Sequence, residues 1–258
     1  MANKKLGNYL WYAIGEILLV VVGILIALQI NNWNEERIEQ KQIREYALSL
    51  VGDLQRDMEM LVPVNKQIEN LIHLSNELAI YMQGRPLADI SNIDLYVYTQ
   101  DPLYRPFEWN RAALEQLKSS GALRQIKNQQ LAMKISEYDA LTKHLDQDYA
   151  NDENNIRQAA DLAMSVINMN YPDRGKIIVY DDDSNEDLLA AFFDSDLYRQ
   201  IKSDDLSLLT DDIKELSRAT NNFISLGYYL NARPEIEIPR LRANALEIID
   251  LINVEYGR

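Results

Sequence analysis

Along the chain, hydrophobic positions follow two different rules. From Tyr9 to Ile30 they are nearly continuous, interrupted only by Gly15, Glu16, Gly23 and Gln29. As a helix, these roughly 22 residues at about 1.5 Å each would reach about 33 Å, enough for a hydrocarbon core of about 30 Å. Placing Glu16 outside the bilayer would leave an apolar run too short to cross, so the carboxyl falls in the N-terminal third of the span. Burying it costs on the order of 2.5–3.5 kcal/mol if it behaves like Asp, which Leu, Ile and Val at about −0.3 to −0.6 each offset. Tyr9, Trp11 and Tyr12 at one end and Trp33 at the other are spaced as interfacial anchors.

Within the span Ala13, Glu16, Val20, Gly23, Ala27 and Ile30 recur at steps of three and four, which places them on one stripe. Small residues and one polar group along a stripe suit a helix–helix interface in lipid. The plainer reading is a Glu16 that is protonated or reaches the headgroups, beside an incidental Gly23.

After Asn34 the rule changes to a helical period. Ile43, Ala47, Leu50, Leu54, Met58 and Leu61 form one face, and Val64, Ile68, Leu71, Ser75, Leu78 and Met82 continue it. No Gly-Pro-Ser linker separates the span from this pattern, so the helix should run on as a stalk. Pro63 should kink or restart it. Ser91 and Asp94 read as a capping box for a short helix, against a strand-like alternation over residues 93–99. Pro102, Tyr104, Pro106, Phe107 and Trp109 form an aromatic turn. Asn110 should cap a helix ending at Ser120-Gly121, and a longer helix follows from Leu123 toward Met169. Residues 176–180 suit a short strand or an extended connector. Ser184 with Asp187, and Thr210-Asp211-Asp212, should open two more helices. Pro234 and Pro239 precede a last one carrying Leu241, Ala245, Ile248, Ile249 and Ile252.

The expected architecture is all-α: an N-terminal transmembrane helix continuing into a soluble helical bundle, with at most one short β element. It divides into a cytoplasmic leader (1–8), a transmembrane helix (9–32) and an extracytoplasmic helical domain with a membrane-proximal stalk (33–258). Lys4 and Lys5 in the leader favour an inside N-terminus, although Arg37, Lys41 and Arg44 nearly balance them. A cleavable signal peptide would want a shorter core and small residues at its end.

Gly15 to Glu35, followed by Leu114 to Asn128, resembles an uncharacterised family of bacterial single-span membrane proteins. The resemblance implies a bacterial envelope protein with an α-helical domain, and brings no activity or ligand; with the N-terminus inside, the expected location is the inner membrane with the large domain in the periplasm.

Composition narrows the chemistry. There is no cysteine, hence no disulfide, thiol nucleophile or thiolate zinc site, and a net charge of −14 argues against nucleic acid. The acidic run Asp181–Asp187 fails the EF-hand pattern at the glycine and at the last acid. His73 and His144 are the only histidines, and His144, Asp146 and Asp148 lie two and four apart, which does not bring all three together on a helix. No catalytic residue, metal site or cofactor is expected. The partners expected are membrane lipid and either a second copy or a membrane partner protein. The leading function is non-enzymatic assembly through the Glu16 stripe, as scaffold or receptor. The alternatives are a proton-coupled transport or motor-type subunit that uses Glu16, and an extracytoplasmic small-molecule sensor.

Overall fold

The two hydrophobic rules share one helix. In the computed structural model, which describes residues 2–100, 107–172, 174–180 and 187–257 (the backbone alone for 2–14), α1 runs unbroken over Ala2–Met82. It passes through Pro63 without interruption, so the expected restart does not occur. Pro63 leaves the carbonyl of residue 59 without its helical donor. Leu61 and Ile68, both buried on either side, hold the helix against the bundle across that gap.

The periodic face of α1 is the core face. Ile43, Ala47, Leu50, Leu54, Leu61, Ile68, Leu71, Ser75 and Leu78 are all buried. Three long helices pack around them, of which the last two in chain order lie closest to α1. α5 (Gln129–Val166) runs alongside α1 in the same direction: its Tyr138 meets Asp57, and Asn168 just beyond its end meets Asn92 just beyond the end of α1. α8 (Ile213–Leu230) and α9 (Ile238–Tyr256) return antiparallel, joined through Arg233–Glu237, which forms a π-helical turn. Ser75 bonds the α8 backbone at one end of this line, and Arg44 Nε donates to the Tyr256 carbonyl at 2.8 Å at the other. The result is a helical bundle.

α1 and α8 come close together at Gly227. A Cβ there would lie 2.8 Å from that of Ser75, so only glycine fits without displacement. The Gly227 N–H donates to Ser75 Oγ at 3.2 Å, and that hydroxyl donates to the Ile224 carbonyl at 2.9 Å.

Shorter helices close the sides: α2 (Asn92–Tyr98), α3 (Ala112–Ser119), α4 (Ala122–Gln125), α6 (Leu188–Phe193) and α7 (Asp196–Ser203). The ambiguous stretch before residue 100 is helical, and residues 177–180 have no regular secondary structure. No strand occurs among the described residues, and the fold is all-α. The long helix expected from Leu123 is divided, because Ile126 to Asn128 leave the helix before Asn128 caps α5 through the Leu131 N–H. Gly121, at φ 78°, ends α3 as expected. Of the aromatic turn, Phe107 and Trp109 pack edge to face at 4.5 Å; Pro102, Tyr104 and Pro106 lie outside the described residues.

Candidate functional site

From Gly15 to Gln42, α1 makes few contacts with the bundle, Lys127 on Glu36 among them. No part of its apolar window is buried, and the helix is long and apolar enough to cross a bilayer. Leu19 is 75 % exposed and Ile17 65 %, and Val20 and Ile30 on the stripe are exposed by more than half. A leucine, isoleucine or valine left in water forgoes about 1.5–3 kcal/mol relative to burial, so the eleven from Ile17 to Ile30 require a cover that the bundle does not supply.

Glu16 and Ala27 are exposed, and a Cβ added at Gly23 would meet nothing within 4 Å. The stripe is therefore open along the part described. Ala13, Tyr9, Trp11 and Tyr12 lie in the first turns of the same helix. Trp33 is exposed, with the Arg37 guanidinium 5.9 Å from its ring centre. Asn31 Nδ2 donates to Glu35 Oε1 at 2.8 Å, so polar side-chain bonding begins immediately past the apolar run.

The bundle holds its own polar groups quite differently. Asp53 and Asp57, one turn apart on α1, point into it. Asp53 Oδ2 accepts the Ala113 N–H at 3.0 Å and so caps α3 from another helix, while its other oxygen pairs with Arg56. Asp57 accepts three hydrogen bonds, from the Asn110 N–H at 2.9 Å, Asn110 Nδ2 at 2.7 Å and the Tyr138 hydroxyl at 2.8 Å. Asn110, expected as a helix cap, is instead held by Asp57. Burial outweighs these bonds and raises the Asp57 carboxyl above its ordinary value. Burial, and then the nearby Asp57, push the Tyr138 hydroxyl far up as well.

The same device recurs at α2. Asp205 accepts from the Ile93 N–H at 3.1 Å and from the hydroxyls of Ser91 and Tyr171. The expected Ser91–Asp94 capping box is thus replaced by a remote carboxylate. Asp94 turns to the Tyr198 hydroxyl and Lys202 Nζ, both at 2.8 Å. Asp187 does cap α6, and Asp212 caps α8; Ser184 and the rest of the acidic run, 181–186, lie outside the described residues.

A third cluster sits where α5 passes the π turn. Arg233 is 8 % exposed and grips Asp152 with Nε at 2.9 Å and Nη2 at 3.2 Å, while Nη1 reaches Glu237 at 2.6 Å. Burial raises the Asp152 carboxyl despite the hydrogen bonds from Arg233. Beside this pair, His144, Asp148 and Glu237 bring one ligand-type atom each to within 4.8 Å of one another. Asp146, by contrast, points away and binds the Trp109 indole N–H at 2.8 Å and Arg111. The sequence spacing therefore rightly separates Asp146 from His144, but conceals Glu237, which lies about ninety residues downstream. His73 stands apart, 3.9 Å from Asp187.

Near Pro63, a cleft of about 430 Å³ opens between α1 and α9, walled by Leu61, Val62, Ile238 and Leu246 with Arg242 at its side.

A family of unknown function (DUF6090) matches residues 16–102, about a third of the chain. The match begins at Glu16 and takes in the rest of α1 and all of α2; residues 114–128 lie beyond it. No curated protein and no solved structure matches the chain.

Proposed function

We propose that the chain is a non-enzymatic, single-span membrane protein of the bacterial inner membrane, which holds its helical bundle outside the cytoplasm as a scaffold or receptor and assembles through the Glu16 stripe. The observation that carries this reading is the contrast along α1. None of its described apolar window is buried, yet it continues without a break into the bundle. Lipid covers the Leu, Ile and Val side chains of that segment. A carboxyl within lipid needs a partner, and a second copy presenting the same stripe supplies one, the open space at Gly23 allowing close approach of backbones. The buried acids of the bundle support the non-enzymatic part of the reading, since each is committed to a backbone N–H, a tyrosine hydroxyl, a lysine or an arginine.

The test is the mass of the detergent-purified complex for wild type, Glu16→Gln and Glu16→Ala. Assembly by hydrogen bonding predicts an oligomer that survives Gln and weakens with Ala. A wild-type monomer, or an oligomer indifferent to both changes, refutes assembly through the stripe. A function lost equally in both variants, with assembly intact, favours proton traffic instead.

A further inference from the structure

The cluster beside the π turn holds more negative charge than its arginine answers. Asp148, Asp152 and Glu237 all pair with Arg233: Nε and Nη2 hold Asp152, while Nη1 lies 2.6 Å from Glu237 Oε2 and 3.4 Å from Asp148 Oδ2. One turn apart on α5, His144 Nε2 and Asp148 Oδ2 stand 3.1 Å from each other. That is hydrogen-bond length, yet Asp148 Oδ2 is buried and accepts no hydrogen bond. The His144 imidazole and the Asp148 carboxylate thus face one another at the spacing of two ligands of one ion. Glu237 joins them because the π turn, an uncommon local winding that recurs at functional sites, ends on that residue.

We propose that His144, Asp148 and Glu237 bind a divalent transition-metal ion of the Zn²⁺ class, with water completing the coordination. One imidazole with two carboxylates is a three-ligand set that such ions accept. Ca²⁺ requires six to eight oxygens and Mg²⁺ a near-ideal octahedron, so neither suits this set. Bonds of about 2.0–2.1 Å to a tetrahedral ion place ligand atoms about 3.3 Å apart. His144 and Asp148 already lie close to that spacing, and Glu237, within 4.8 Å of both, has to draw closer to meet it. Arg233 Nη1 on Glu237 acts as the outer partner that steadies a ligating carboxylate. His144 is exposed, which leaves a path for the ion and for water. Bound there, the metal clips α5 to the α8–α9 junction.

The experiment uses full-length, untagged protein in detergent, stripped with a chelator, then titrated with ZnCl₂ by calorimetry and followed by thermal unfolding. One ion per chain is expected, with an upward Tm shift of roughly 5–10 °C at a hundredfold excess over Kd. Mg²⁺ and Ca²⁺ should give no shift. His144→Ala and Glu237→Gln should each weaken binding at least about tenfold, and His73→Ala should not. Since the His144 side chain is 61 % exposed, His144→Ala keeps the metal-free Tm and reads binding alone. Absence of saturable Zn²⁺ binding, or a response undiminished in His144→Ala, overturns the site.

Discussion

The two halves of α1 have similar helical geometry and opposite fates. From Ile43 onward, nearly every apolar side chain on one face is buried and each inward acid has named donors; before it, leucines, isoleucines and valines stand in the open with a carboxyl among them. Helix formation therefore does not distinguish the halves. What differs is the medium each surface demands: a core made by the rest of the chain for one, and a cover from outside the chain for the other.

Substitutions can break or sharpen that contrast. The largest effect is expected at Arg233→Met, which leaves Asp152 buried without its cationic partner; a loss of about 3–5 kcal/mol should appear in chemical denaturation. A smaller effect comes from one substitution made in both halves. Gly227→Ala forces a Cβ against Ser75 and should cost about 1–3 kcal/mol. Gly23→Ala meets nothing within 4 Å and should leave the unfolding midpoint of the bundle unchanged. Equal effects at the two glycines would erase the distinction.

The smallest effect concerns pH. The Asp57 carboxyl titrates above its ordinary 3.8 in the fold, mainly because it is buried. Between 3.8 and that raised value the native state holds a proton that the unfolded chain has released. Stability from this group therefore falls as pH climbs through the window and stays lower above it. Asp57→Asn removes that contribution, so stability measured from about pH 4 to pH 7 should decline less steeply in the variant than in wild type.

Much of this was legible before any coordinates. The period of three and four picked out Ile43, Leu50, Leu54, Ile68, Leu71 and Leu78, and the unbroken apolar run picked out the segment that the bundle leaves bare. Gly121 and Asp212 ended and opened helices where their chemistry required. Errors arose where a local rule met a distant group. Ser91 and Asn110 are good caps in isolation, but Asp205 and Asp53, far away in sequence, reach the free N–H groups of α2 and α3 instead. Pro63 should break a lone helix, whereas packing on both sides carries α1 past it. α7 was missed because its apolar residues are few and none is fully buried. The meeting of His144 with Glu237 depends on how α5 and the π turn pack, and no spacing within one helix encodes it.

The continuity of α1 has a mechanical side. At about 1.5 Å per residue its 81 residues form a rod of about 120 Å with no flexible joint between Ile30 and Ile43. Length and azimuth are then locked together. One residue inserted between those positions advances the bundle by about 1.5 Å and swings it by about 100° around the rod axis. The surface that the bundle presents sideways is thus set by the number of residues between Ile30 and Ile43.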